Sequence, residues 1–156
     1  MIISKITFDD ILPIWKDKLW NNRISDIKTH SSMTCPIDKD SIYDMKIYEY
    51  PATYWAVLHN DIIVGVNSGH KTSDCDYRSR GLWVATEYRG NGLGKLLLDT
   101  VIDQAILEEC NIIWSVPRLT ALPTYEKAGF ETIGNIFKTE TADKNVYAIK
   151  RVKVYT

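Results

Sequence analysis

Cysteine is scarce in this chain: Cys35, Cys75 and Cys110 are the only three, an odd number at wide spacing. None forms a Cys-x-x-Cys pair, and none stands at metal-ligand spacing from a histidine, which removes disulfide scaffolds and cysteine-rich zinc modules. Reduced thiols and no metal are expected; Cys110, closing an apolar helical segment, reads as a small core residue. No apolar run reaches the roughly 20 residues that span a bilayer. The stretch Met1 to Asp10 carries acids where a signal peptide needs a basic segment and a long apolar core. A cytoplasmic chain without a membrane partner is the expectation. Basic excess is also missing: 19 basic residues face 20 acidic ones, for a net charge of −1. That disfavours a general nucleic-acid binder. Repeats, low-complexity tracts and Gly/Ser/Pro linkers are absent too.

What is present is ordinary globular material. With 156 residues, 45% hydrophobic and 25% charged, residues 1–156 are expected to form one domain with a real core. A strand is predicted over residues 2–7. Asp9 or Asp10 then caps a helix through Ile11, Ile14, Trp15 and Leu19, with Pro13 in its first turn. Residues 21 to 51 are irregular, with short helices expected over 22–30 and 40–45. Tyr54–Leu58 and Ile62–Val66 flank His59-Asn60-Asp61 as a β-hairpin. Asp74 and Asp76 mark a second turn before a strand from Ser79 to Val84. A helix over 92–109 presents Leu93, Leu96, Leu97, Val101, Ile102, Ala105 and Ile106 as its buried stripe, with Asn111 ending it. A strand over 112–116, a short helix over 121–128 stopped by Gly129, and strands over 130–138 and 145–154 complete the chain. The strand–helix–strand unit should be parallel and right-handed, and its change of direction is where ligands tend to sit.

The turn into the long helix, Glu87-Tyr88-Arg89-Gly90-Asn91-Gly92-Leu93-Gly94-Lys95-Leu96, holds three glycines in five positions. Glycine tolerates unusual backbone angles and lets another molecule approach the main chain. A helix start adds unpaired N–H groups and partial positive charge, so it suits phosphate. The plain alternative is a tight strand-to-helix turn. Two phosphate motifs fail here. A dinucleotide fingerprint needs glycine where Lys95 stands, and a P-loop needs Ser or Thr at Leu96 and glycine at Arg89.

What fits is Arg89-x-x-Gly92-x-Gly94 after the strand Leu82-Trp83-Val84, which resembles the coenzyme A motif of the GNAT superfamily of N-acetyltransferases. Thr86 stands where that family often has proline. A second segment, Ala121-Leu122-Pro123-Thr124-Tyr125-Glu126-Lys127-Ala128-Gly129-Phe130, resembles the family's later Ala-x-x-Phe-Tyr-x-x-x-Gly-Phe motif. Thr124 replaces an aromatic there, and Arg118 stands where an asparagine often helps hold the cofactor.

The resemblance implies a mixed α/β fold: a mostly antiparallel sheet of six or seven strands, flanking helices, and a splayed parallel pair holding the cofactor. It implies acetyl-coenzyme A as cosubstrate, its pyrophosphate on the backbone of Gly90, Asn91, Gly92, Leu93, Gly94 and Lys95, with Arg89 adjoining. The pantetheine arm would pair with Leu82, Trp83 and Val84. The implied reaction is direct attack of a primary amine on the thioester, with Tyr125 as the acid for the departing thiolate. The acceptor would be a small molecule or a protein amino group, and the chain a monomer or homodimer. A non-catalytic acyl-coenzyme A binding module is the rival.

A protonated amine has no lone pair, so a base or a water path is needed. Asp74, Asp76, Glu49 and His70 are candidates, each equally a turn, surface or structural residue; Ser79 and Arg80 carry no assigned role. Trp20, Tyr43, Tyr48, Tyr50 and Trp55 could wall an acceptor pocket. Asp38, Asp40, Asp44 and Glu49 could attract a cationic amine, or form a solvated acidic loop.

Overall fold

The computed structural model describes residues 1–37 and 42–153. Its seven strands are β1 (Ile2–Ile6), β2 (Ala52–His59), β3 (Ile62–Lys71), β4 (Asp76–Val84), β5 (Ile112–Ser115), β6 (Glu131–Phe137) and β7 (Asn145–Arg151). They form one sheet in the order β1-β2-β3-β4-β5-β7-β6. Every neighbouring pair is antiparallel except β4 and β5, which run parallel. Three α-helices flank the sheet: α1 (Phe8–Ile14), α2 (Leu93–Leu107) and α3 (Leu122–Lys127). This is the mixed fold expected from the sequence, with α2 as the crossover between the parallel strands.

Local chemistry explains the elements and corrects some limits. Asn60 and Asp61 both take positive φ, 51° and 65°, as a two-residue hairpin loop requires. Helix α1 is capped by Thr7 rather than by Asp9 or Asp10. Asp10 N–H donates to Thr7 Oγ1 at 3.2 Å, and Thr7 N–H donates to the Asp10 carboxylate at 3.0 Å, a reciprocal capping box. Pro13 therefore lies beyond the first turn, inside the helix. The chain then widens into a π-helical turn, Trp15–Leu19, where Trp20 N–H donates to the Trp15 carbonyl. No helix forms over 22–30; Met45–Glu49 is a short 3-10 turn, and Asp40 and Ser41 lie outside the described residues.

Helix α2 buries Leu93, Leu97, Leu98, Val101, Ile102 and Ala105. Each fully buried aliphatic chain contributes about 1.5–3 kcal/mol, far more than helix propensity alone. Leu98 belongs to the buried stripe, whereas Leu96 faces outward. The helix stops when Glu109 enters the left-handed region at φ 65°, two residues before Asn111. Alternate residues of β2 divide the core: Tyr54 and Ala56 pack against Ile11 and Trp15, while Val57 packs beside Leu93 and Leu97. Thus α1 and α2 cover opposite faces. Tyr125 and Ala128 join the α2 cluster, which puts α3 on the same side.

The feature that positions the site is in β4. Val66 pairs with Trp83 but Ser68 pairs with Arg80, so β4 uses three steps where β3 uses two. This is a β-bulge, and it bends the strand. Gly81 sits in it at φ 80°, and Trp15 Nε1 donates to its carbonyl at 2.9 Å. Parallel pairing of β4 with β5 covers only Asp76–Arg78 against Ile112–Trp114. Beyond it the strands part, with the Ser115 hydroxyl donating to the Ser79 carbonyl at 2.7 Å across the crotch.

A Cβ at Gly81 would collide with the Trp15 indole, in a backbone conformation that disfavours side chains. Gly81→Ala is expected to lower stability by about 2–4 kcal/mol, seen as a fall in denaturant midpoint at constant m-value. An unchanged midpoint would show that the bulge carries no such constraint.

Candidate active site

Two clefts open where β4 and β5 separate. The first, about 420 Å³, is lined by Leu82, Trp83, Val84, Arg89, Gly90, Gly92, Leu93, Gly94 and Lys95, all named from the sequence as cofactor residues. Asn91 does not line it; its side-chain amide donates to the Tyr88 carbonyl at 3.2 Å and braces the turn from outside. Gly90 and Gly92 adopt φ of 82° and 78°, and a Cβ on either would meet nothing within 4 Å. Their need is therefore conformational, and the space beside them is open. Gly94 differs: a Cβ there would lie 2.7 Å from Thr124 Cγ2, so this glycine allows α2 and α3 to pack closely. The threonine that departs from the motif is the residue that fills this contact.

No side chain caps α2, whose N-cap is Gly92, so its first-turn amides need partners from elsewhere. The fifteen-residue helix directs its positive dipole end toward the cleft. Backbone, more than side chains, supplies this site. Arg89 Nε donates to the Val84 carbonyl at 3.0 Å, folding back on the strand end. Lys95 Nζ pairs with the Asp99 carboxylate at 2.6 Å. Thr120, Thr124 and Lys127 also line the cleft and were not named as cofactor residues from the sequence; their place depends on α3 docking beside the turn.

The second cleft, about 640 Å³, lies under the irregular segment after α1. Leu19, Leu82, Arg118 and Ala121 line both clefts, so the two meet. Tyr125 lines the second and is 4% exposed. Its ring packs edge-on against Phe130, with centroids 5.4 Å apart. The Ser115 hydroxyl has one proton, directed to Ser79 at 2.7 Å, and lies 3.4 Å from the Tyr125 oxygen. With that proton spent, Ser115 Oγ can only accept from the Tyr125 hydroxyl, a long bond that a better acceptor would displace. Burial raises its pKa, so the phenol is neutral near pH 7. Arg118, in the place of the expected asparagine, donates to the Leu19 carbonyl at 2.8 Å and ties the end of the π-helical turn to the junction.

Of the proposed aromatic walls, Trp20, Tyr43 and Tyr48 line the second cleft, whereas Tyr50 and Trp55 do not. Of the acids, Asp44 and Glu49 do not line it. Asp44 caps the 3-10 turn and Glu49 is exposed away from it; Asp38 and Asp40 lie outside the described residues. Nor does any proposed base line it. Asp74 accepts from the Tyr50 hydroxyl, Asp76 accepts from Ser73, and His70 is locked in the fold. No described cysteine lines either cleft, and burial pushes the Cys110 thiol up to about 12. Among the described residues, no His, Cys, Asp or Glu group could hold a metal, and no helix is long and apolar enough to cross a membrane.

Residues 20–130 match the acetyltransferase (GNAT) family. The chain belongs to that family. No curated protein is significantly similar to it in sequence. Solved structures share the fold. An aminoglycoside 6'-N-acetyltransferase complexed with coenzyme A aligns at 14% identity, covering 100% of this chain and 99% of that one, with a TM-score of 0.67. A GNAT acetyltransferase from Staphylococcus aureus aligns at 16% identity over 97% and 99%, with a TM-score of 0.65. A variant of spermidine N-acetyltransferase from Vibrio cholerae aligns at 12% identity over 97% and 95%, with a TM-score of 0.66.

In this GNAT protein two histidines beside the second cleft are structural. His30 Nε2 bonds the Tyr50 carbonyl at 2.7 Å and Nδ1 bonds the Thr29 hydroxyl at 2.8 Å. His70 Nε2 accepts from Ser31 N–H at 3.2 Å, which leaves Nδ1–H to donate to the Lys71 carbonyl at 2.9 Å. Burial lowers the pKa of His30 and takes that of His70 well below 6.5. Both are held below their unfolded value, so the unfolded chain binds the extra protons as pH falls below 6.5. Stability contributed by the neutral rings is present above that pH and is lost as pH falls through and below it. Thermal melts should show Tm dropping from pH 7.5 toward pH 5, with a shallower slope in His70→Gln. An identical slope in the variant would contradict this assignment.

Proposed function

We propose that this protein is an acetyl-coenzyme A-dependent N-acetyltransferase of the cytoplasm that transfers acetyl directly to a primary amine in a ternary complex. The observation that supports this reading is the meeting of the two clefts at Leu19, Leu82, Arg118 and Ala121, beside Tyr125. Two ligands held at once can react without a covalent enzyme intermediate, and the absence of any described cysteine from the cleft walls fits that route.

The coenzyme supplies an acetyl group already activated as a thioester. The chain's residues do the rest. The amides at the start of α2 and the left-handed backbone of Gly90 and Gly92 hold the pyrophosphate. Leu82, Trp83 and Val84, freed from β5 by the bulge, offer main-chain groups to the pantetheine arm by strand addition. Tyr125 keeps its proton in the buried junction and donates it to the departing sulfur. No side chain is assigned as base: in the cleft that Tyr125 lines, Glu140 is engaged by Arg23 and the Ile24 and Ser25 amides, and both His30 nitrogens are hydrogen-bonded. The amine's proton leaves through water along the open second cleft, so kcat/KM should track the concentration of unprotonated amine.

Acetyl-coenzyme A is expected to raise Tm by binding the folded state. Gly92→Val, at a φ of 78°, should stay folded but lose about 1–3 kcal/mol of stability through backbone strain. Its affinity for the coenzyme should fall at least about tenfold by calorimetry; unchanged affinity would remove the turn from the site. Tyr125→Phe keeps the ring and its packing. Its single-turnover rate should fall about tenfold or more at nearly unchanged coenzyme affinity. Equal rates across pH would leave Tyr125 a packing residue. If no amine releases thiol while the coenzyme still binds, the protein is a binding module.

A further inference from the structure

The second cleft differs in charge from the chain that builds it. Overall charge is −1, yet Arg23, Lys28, Arg78, Arg80 and Arg118 line this cleft against only Asp26 and Glu140 among the described residues. Glu140 is already engaged: it lies 3.7 Å from Arg23 and accepts from the Ile24 and Ser25 amides. The two arginines from β4 stand out. They alternate along the strand, so both point to the α1 face, opposite Tyr77 and Ser79.

Arg80 is 4% exposed, stacks on Trp15 and Trp20 at 5.0 and 5.2 Å, and spends one N–H on the Lys28 carbonyl at 2.8 Å. Arg78 stacks on Trp114 at 4.9 Å and donates one N–H to Ser31 Oγ. Its Nε is buried with no hydrogen-bond partner. A guanidinium has five N–H donors in a fixed fork, so most of these donors are not accounted for by either bond. Neither arginine takes part in an ion pair with a described residue; those found are Lys18–Asp17, Arg23–Glu140, Lys95–Asp99 and Lys138–Asp143. Burial lowers their pKa values to about 10 and about 9, which leaves both charged near pH 7. Two like charges, Arg80 buried and Arg78 half-buried, are costly unless an anion meets them.

We propose that the second cleft is built for an oxyanion, and that the acceptor is a small amine carrying a carboxylate or phosphate recognised by Arg78 and Arg80. This rests on the acetyltransferase reading and names the substrate class for the same site. The cleft's 640 Å³ suits a metabolite-sized molecule. Guanidinium forks match carboxylate and phosphate oxygens, whereas a polycation would meet like charge in a poorly solvated wall. Stacking on tryptophan fixes the guanidinium planes in advance, so little freedom is lost on binding. Of the acids weighed from the sequence as attractors for a cationic amine, Asp44 and Glu49 do not line this cleft, whose described charged wall is mostly basic.

The test measures thiol release with matched acceptors, comparing kcat/KM per unprotonated amine. The pairs are phenylalanine with phenylalaninamide and aminoethyl phosphate with ethanolamine; spermidine is the polycationic arm. At least one anionic member should exceed its uncharged partner by about tenfold or more, and which pair does so separates carboxylate from phosphate. Arg78→Met should remove that preference, the anionic member losing more than its uncharged partner and chiefly through KM. Arg78→Lys should restore part of it. A retained acetyl-coenzyme A thermal shift confirms that each variant is folded. The inference is overturned if spermidine or the uncharged partners are used as well as the anionic ones, or if Arg78→Met lowers both members of a pair alike. Should no amine release thiol, calorimetry with the same anionic amines and coenzyme A separates the two ideas. Binding that Arg78→Met weakens keeps the oxyanion site without the transferase activity, and no binding removes both.

Discussion

Trp15 Nε1 donates to the Gly81 carbonyl at 2.9 Å, and this bond anchors a bulge in β4 on which both clefts depend. A parallel strand with regular pairing would continue beside β5 and leave no room between them. Here pairing ends at Arg78 and Trp114, and the extra residue at the bulge turns Leu82–Val84 aside. One indole buried between α1 and the sheet therefore couples the core to the site. The same indole also stacks on Arg80, so it shapes the first cleft through the backbone and the second through a charge.

In the proposed function the two clefts meet their ligands by different physics. Around the glycine turn the positive potential comes from main-chain N–H groups at the start of α2, while Arg89 and Lys95 are tied to Val84 and Asp99. Backbone dipoles fixed by a helix need no reordering on binding, which suits a coenzyme common to many reactions. In the second cleft the potential comes from side chains, above all the tryptophan-stacked arginines. Side chains change without disturbing the fold, which is where acceptor choice belongs. At the junction Tyr125 is dry, neutral and able to donate. In the proposed mechanism, charge is thus absent from the group that donates to the leaving thiolate.

Much of this was legible in the sequence because it is local. The Asn60-Asp61 hairpin, the glycine turn, α2 and the Tyr125 segment all follow from residues within a few positions of each other. The missed features depend on distant partners. The described residues between 21 and 51 form no long helix because their polar groups are satisfied across the chain: Lys28 by Arg80, Thr29 by Tyr54, Ser31 by His70. Pattern alone cannot separate Leu96 from Leu98 when both lie in a run of three leucines; docking against the sheet decides. Arg78 and Arg80 gave no signal, since alternating charge on a strand ordinarily means solvent. Only the segment folded over them makes the face an interior one.

The central claim, that the bulge frees β4 to receive the coenzyme alongside the α2 turn, is tested most directly by amide hydrogen exchange with and without coenzyme A. The account predicts slower exchange on binding at Leu82, Trp83 and Val84 together with Leu93, Gly94 and Lys95, while β1 and β6 at the sheet edges stay unchanged. Protection that spares both the β4 end and the start of α2, or appears mainly at an edge strand, would contradict it.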